Sequence, residues 1–187
     1  NRGRSILVTT PAKVLIENNY FRSAGAAVLI EGDTELWFES GAVCDITIQN
    51  NLFEDCYTSG NNIIDGPWGW GEGVISISPS FRPQDADAKA YHRNIRIVGN
   101  TFRHFDCAVL FARSAEGLEF SRNRLERTRT YEPFYRPYNL FLDGCRKVRV
   151  AGNSFGPDFP GHNIGIVHRR PSEIVQRGGR PLEIICK

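Results

Sequence analysis

The chain has 187 residues, 41% of them hydrophobic, with 23 Lys and Arg set against 21 Asp and Glu. That length makes one domain spanning 1–187, and no apolar run approaches a membrane span. A net charge of +2 argues against a surface built for nucleic acid, so no nucleic-acid partner is expected.

The chain opens on Asn1-Arg2-Gly3-Arg4 and enters a strand at once, Ile6-Leu7-Val8, with no signal peptide and no Met. An open solenoid end exposes apolar core and unpaired backbone, which natural solenoids cover with a cap. None is legible before Ile6, so the expected object is the C-terminal piece of a longer protein, truncated at its N-terminus.

A repeat follows. Val14-Leu15-Ile16 leads to Asn19-Tyr20-Phe21, and Ile46-Thr47-Ile48 leads to Asn51-Leu52-Phe53. Ile95-Arg96-Ile97, Leu118-Glu119-Phe120 and Val148-Arg149-Val150 lead in the same way to Asn100, Asn123 and Asn153. Alternation with period 2 puts the apolar pair of each unit on one face of a strand. A second apolar run follows each unit: Ala27–Ile30, Val74–Ile77, Ala108–Phe111, Asn139–Leu142 and Asn163–Val167. The Asn spacings are 32, 49, 23 and 30 residues, so the shortest coil is near 23. The predicted fold is all-β: a parallel β-helix of about five to six coils, its strands stacked roughly 4.8 Å apart. The repeated Asn is expected at a tight bend, where it tolerates unusual backbone angles and stacked amides form a ladder. The Leu-rich consensus and helical segments of the rival leucine-rich repeat are absent.

The five cysteines form no C-x-x-C pair and are odd in number. Cys44 and Cys145 each precede a first strand, so stacked free thiols are expected rather than disulfides.

The coil between Asn100 and Asn123 is the ruler for insertions. Against it, the connections Glu31–Asp45, Glu54–Gly73, Ser78–Asn94 and Glu126–Tyr138 are long. Every one flanks the second strand, and none enlarges the Asn bend. Loops that grow along both sides of one face wall a groove, the usual binding side of a solenoid. With Val28 and Ile30, Ile75 and Ile77, Val109 and Phe111, and Leu140 and Leu142 pointing inward, the exposed column beyond them reads Glu31, Ser78, Ala112, Asp143.

From Glu31 to Glu72 the chain carries nine acidic residues and no Lys or Arg, together with all three tryptophans, Trp37, Trp68 and Trp70. Carboxylates accept from sugar hydroxyls, and indoles cover the flat C–H face of a sugar ring. Glycoside cleavage also needs paired carboxyl groups. The window therefore has the composition of a carbohydrate site. Glu31-x-Asp33-x-Glu35 lacks the spacing and Gly of an EF-hand, and the four histidines show no zinc spacing, so no metal and no cofactor is expected. Cys107 beside His104 and Asp106 is read as structural, and the arginines 122, 124, 127 and 129 as a solvated face.

Four phrases carry a resemblance to a known family. These are GRSILVTTPAKVLIENNYF (3–21), VLIEGDTELWFESGAVCDITIQNNLFEDC (28–56), WGWGEGVISISPS (68–80) and YHRNIRIVGNTF (91–102). Over roughly residues 2 to 155 the text resembles the family 110 glycoside hydrolases, bacterial α-1,3-galactosidases acting on terminal galactose. The resemblance implies a right-handed parallel β-helix, an inverting, metal-independent hydrolysis of terminal α-galactosides, and an extracytoplasmic location. In an inverting site the two carboxyls stand about 6.5–9.5 Å apart. The catalytic carboxylates it implies lie in earlier coils around an Asp-Asp pair, which this chain lacks, so no catalytic role is carried over. Carried over as substrate-binding residues are Glu31, Asp33, Trp37, Glu39, Trp70 and Glu72, with the segment expected to build part of the sugar groove and to be inactive alone. The alternative is a non-catalytic glycan-binding or structural β-helix, which short uniform turns would favour. A pectin-degrading relative of the fold is disfavoured, since an acidic wall repels polyuronates.

Overall fold

The computed structural model describes residues 3–35, 38, 41–59, 72–133 and 137–187. Among these there is no α-helix and one short 3-10 turn, Pro171–Glu173. Eighteen strands among the described residues form three parallel sheets, one along each side of a parallel β-helix.

Sheet B holds the first strands of the repeat: β2 (Val14–Glu17), β5 (Cys44–Gln49), β8 (His92–Val98), β11 (Ala115–Ser121), β14 (Val148–Ala151) and β17 (Ile174–Arg177). Sheet C holds the short strands after the repeated Asn: β3 (Tyr20–Phe21), β6 (Leu52–Glu54), β9 (Thr101–His104), β12 (Arg124–Arg127) and β15 (Ser154–Phe155). Sheet A holds the second apolar runs: β1 (Ile6–Val8), β4 (Val28–Ile30), β7 (Ile75–Ile77), β10 (Leu110–Arg113), β13 (Leu140–Asp143), β16 (Asn163–Val167) and β18 (Glu183–Cys186). The coil thus has three sides where the sequence pattern showed two strands. The Phe or Leu after each Asn has turned a corner.

Register explains the core. Ile46, Ile95 and Leu118 pair in one column of sheet B, and Ile48, Ile97 and Phe120 in the next. All six are buried. In sheet C, Phe21, Phe53 and Phe102 stack with ring centroids 5.0 and 4.8 Å apart. Branched and aromatic side chains suit this pleated, one-sided burial, each worth about 1.5–3 kcal/mol.

Between sheets B and C the five Asn side chains form one ladder. The Oδ1 atoms of Asn51, Asn100, Asn123 and Asn153 each accept from the backbone N and the Nδ2 of the Asn one coil earlier, at 2.9–3.1 Å. The Nδ2 groups of Asn51, Asn100, Asn123 and Asn153 also donate to Ile16, Ile48, Ile97 and Phe120 carbonyls, so these buried amides are satisfied. The unusual backbone angle falls one residue earlier than the sequence reading placed it. Asn18, Asn50, Gly99, Arg122 and Gly152 all have φ between 54° and 68°. The ladder Asn itself needs ordinary backbone to aim its amide along the solenoid. A second pair, Asn139 and Asn163, exchanges backbone-to-amide bonds at 3.1 Å beside sheet A.

Two expectations are corrected. In β10 the inward residues are Leu110 and Ala112, paired with Ile75 and Ile77, rather than Val109 and Phe111. Phe111 turns outward and stacks on Phe141 at 5.7 Å, while Val109 is buried just before the strand. Cys44 and Cys145 do not stack either. Cys44 pairs with Arg93, and Cys145 follows Gly144 to donate its thiol to Ala112 O at 3.3 Å. All five cysteines are free, and burial holds the Cys145 thiol up at about 12.

Candidate functional site

The outer face of sheet A is the floor of the candidate site. Its outward column runs Leu29, Ser76, Phe111, Phe141, Gly165. The next outward residue on each strand gives Glu31, Ser78, Arg113, Asp143, Val167. The Ser78 backbone N–H donates to Ile30 O at 2.8 Å, and Arg113 pairs with Asp143. Arg113 therefore occupies the place the sequence reading gave to Ala112, because β10 sits one residue further along.

Residues 31–35 and 78–91 follow β4 and β7 and are joined to each other beside this floor, while Glu72 and Tyr138 stand just before β7 and β13. On the other side the Glu72 backbone N–H donates to the outward Ser76 Oγ at 3.3 Å, which holds Glu72 close to sheet A.

Around Glu31 the wall is tightly built. Asp33 Oδ1 accepts from Glu35 N at 2.8 Å and from Ser80 Oγ at 3.3 Å, joining the two connections on that side. Gly32 O accepts from Ser80 N at 3.2 Å. A Cβ on Gly32 would lie 2.6 Å from the Tyr91 ring, so only glycine lets that ring rest on the backbone beside Glu31. Tyr91 in turn stacks on Phe81 at 6.2 Å. Asp33 is buried, whereas Glu31 and Glu72 are half-buried.

The long connection 78–91 is pinned further down the solenoid. Gly144 has φ +65°, and a Cβ there would lie 2.2 Å from Pro83 Cγ. The Arg169 guanidinium donates to Ala86 O and, at 2.5 Å, to Ala88 O. Burial lowers the pKa of this guanidinium from its ordinary value.

Of the sequence-derived residues, Glu31, Asp33 and Glu72 are brought to this face. Trp37, Glu39 and Trp70 lie outside the described residues. No group of three or more His, Cys, Asp and Glu able to hold a metal occurs among the described residues, and none of these contains a helix long and apolar enough to cross a membrane. Cys107 behaves as a structural thiol, its pKa pushed up to about 12 by burial and then by the Asp106 charge.

Sequence reasoning missed Arg113, Tyr138 and His168, which line the same floor beyond Ser78. No local pattern marked them, because Arg113, Tyr138 and His168 belong to three different coils and meet only when the strands of sheet A pair.

A parallel β-helix with one loop-walled face is a recurrent scaffold for binding extended ligands. Comparison with known proteins narrows that class. The chain is 45% identical over 174 residues to alpha-1,3-galactosidase B of Bacteroides thetaiotaomicron, covering 92% of this chain and 27% of that protein. It is also 45% identical over 163 residues to alpha-1,3-galactosidase A of Bacteroides fragilis, covering 86% and 26%. With alpha-1,3-galactosidase B of Akkermansia muciniphila the identity is 39% over 126 residues, covering 67% and 15%. No protein-family model matches the chain. The chain is similar over most of its length to a segment of the alpha-1,3-galactosidases, and it spans about a quarter of the length of the first two relatives.

Proposed function

We propose that this chain forms part of the sugar groove of an exo-acting glycoside hydrolase of the α-1,3-galactosidase type, which removes terminal α-galactose from glycans outside the cytoplasm. The observation that carries the reading is the 45% identity across 92% of the chain, a stretch long enough to contain the whole Glu31–Glu72 window. The groove supports it in physical terms. Glu31 directly follows β4 and Glu72 precedes β7 of the same sheet, both half-buried, and carboxylates take charge-assisted bonds from hydroxyls, which are the strong ones.

Asp33 takes a supporting part in the reading. Its Oδ1 accepts from the Glu35 backbone N–H and from the Ser80 hydroxyl, so it ties the two connections beside Glu31 together. Trp37 and Trp70 are assigned the apolar face of the ring and Glu39 a hydroxyl, on their place in the sequence alone. The proton donor and the base that activates water are not assigned to residues of this chain. Hydrolysis of this type needs two carboxyls and no metal ion.

The test is turnover of nitrophenyl α-galactoside and nitrophenyl β-galactoside by the complete protein that carries this segment. Hydrolysis of the α anomer alone is expected. Glycan binding without hydrolysis of either would replace the enzyme with a binding module.

A further inference from the structure

Three strands along sheet A from Glu31, the floor reaches a polar cluster that the galactosidase reading leaves unused. Asp143 ends β13 and is 8% exposed. Its Oδ2 accepts from Arg113 Nε at 2.9 Å, and its Oδ1 lies 2.8 Å from His168 Nδ1. A carboxylate this buried is costly unless paired, and both oxygens are satisfied, by one group from the coil before and one from the coil after.

The arrangement fixes the histidine. A carboxylate oxygen accepts, so Nδ1–H of His168 donates to Asp143 and the ring turns its Nε2 edge away from the carboxylate. Nε2 has no hydrogen-bond partner among the described residues, and the side chain is 37% exposed, so this edge is open to a ligand.

Flat apolar surface lies beside it. Phe141 stacks on Phe111, and Tyr138 leans on Phe141 at 5.5 Å. Lys187 Nζ lies 5.0 Å from the centre of the Tyr138 ring. Gly165 leaves the room for this packing, since a Cβ there would come within 2.8 Å of Tyr138 and 2.9 Å of Phe141. Pro83, seated on Gly144, adds a wall from the pinned connection 78–91.

Directed polar groups beside a flat aromatic surface suit a sugar ring, which presents hydroxyls at its rim and C–H bonds on its face. Three interstrand steps place Asp143 about 14 Å from Glu31 along the floor. That exceeds one ring and falls within the span of a short oligosaccharide.

We propose that His168, held by Asp143 and Arg113, binds a second sugar of the glycan on the aglycone side of the terminal galactose, with Phe141 and Tyr138 as its apolar floor. An exo-acting site accommodates one sugar ahead of the cleaved bond, so any further sugar contact along the groove falls on the aglycone side. The proposal rests on the α-galactosidase reading of the Glu31–Glu72 window.

The experiment uses His168→Asn in the complete protein. Asn tolerates the φ of 52° at this position, and the Asp143–Arg113 pair stays intact. Two substrates are compared: nitrophenyl α-galactoside, too short to reach His168, and a trisaccharide ending in α-1,3-linked galactose. Loss of one hydrogen bond should lower kcat/KM for the trisaccharide about three- to tenfold, mainly through KM, while the nitrophenyl substrate stays within about twofold. Equal loss on both substrates, or loss on neither, overturns the subsite. If the unsubstituted protein cleaves no α-galactoside, the galactosidase reading fails instead. Calorimetric titration with the trisaccharide then decides the subsite: weaker binding by the variant supports it, and equal binding or none by the parent overturns it.

Discussion

Asn100 donates two hydrogen bonds to a single atom, Oδ1 of Asn123, from its backbone N at 2.9 Å and its Nδ2 at 3.1 Å. Its own Oδ1 accepts the same pair from Asn51. One side chain therefore joins three coils, and the ladder substitutes for backbone pairing at a corner where the sheets part.

Asn100→Ala leaves Asn51 N, Asn51 Nδ2 and Ile48 O short of a partner in a buried setting. The expected cost is about 1–3 kcal/mol or more, seen as a Tm lower by several degrees. Arg124→Ala is the control, since its ion pair with Glu126 is on the surface and worth little. Equal melting of the two variants would remove the ladder from the account of stability.

Gly144→Ala tests the pinned wall. Its φ of +65° disfavours a side chain, and Pro83 occupies the space a Cβ would take. Destabilisation of about 1–3 kcal/mol and earlier proteolytic cleavage within 78–91 are expected. Gly41→Ala, with nothing within 4 Å of its added Cβ, should melt like the parent. A Gly144→Ala protein as protease-resistant as the parent would show that Pro83 does not hold the connection.

Acid should unfold the protein through two buried histidines. Burial lowers the pKa of His92 and of His104 to about 4, with the Asp55 charge opposing the shift at His104. His92 Nδ1 accepts from Val43 N at 3.1 Å, a bond that an imidazolium, having no acceptor, cannot make. Below the unfolded value of about 6.5 the unfolded chain binds more protons, so stability is full above that pH and is lost towards 4. Urea midpoints at pH 7.5 and pH 5.0 should fall in that order, and His104→Leu should flatten the slope. Identical midpoints for the parent at both values would contradict the assignment.

The galactose site is checked by charge removal. Glu31→Gln and Glu72→Gln in the complete protein should each lower turnover or galactose affinity about ten- to a hundredfold, the worth of a charged hydrogen bond. Glu116→Gln, which touches Lys147 on a distant turn, should leave both unchanged. Full activity in both groove variants would remove them from the site.

By itself the sequence determined the solenoid, because its signals are periodic and local. Alternation places Ile46 and Ile48 on one face whatever lies far away, and a constant distance from strand to Asn allows only one corner geometry. Loop lengths likewise single out sheet A as the face flanked by every long connection. Tertiary structure decided the register of β10. In Ala108–Phe111 every residue is apolar, so a slip of one position costs nothing that alternation can detect. Phe111 stacking outside on Phe141, and Arg113 meeting Asp143, select the pairing. The same holds for the His168–Asp143 contact and the Asp33–Ser80 lock, which join residues 25 and 47 positions apart. Their energies arise only once the coils stack, so no local pattern in the chain encodes them.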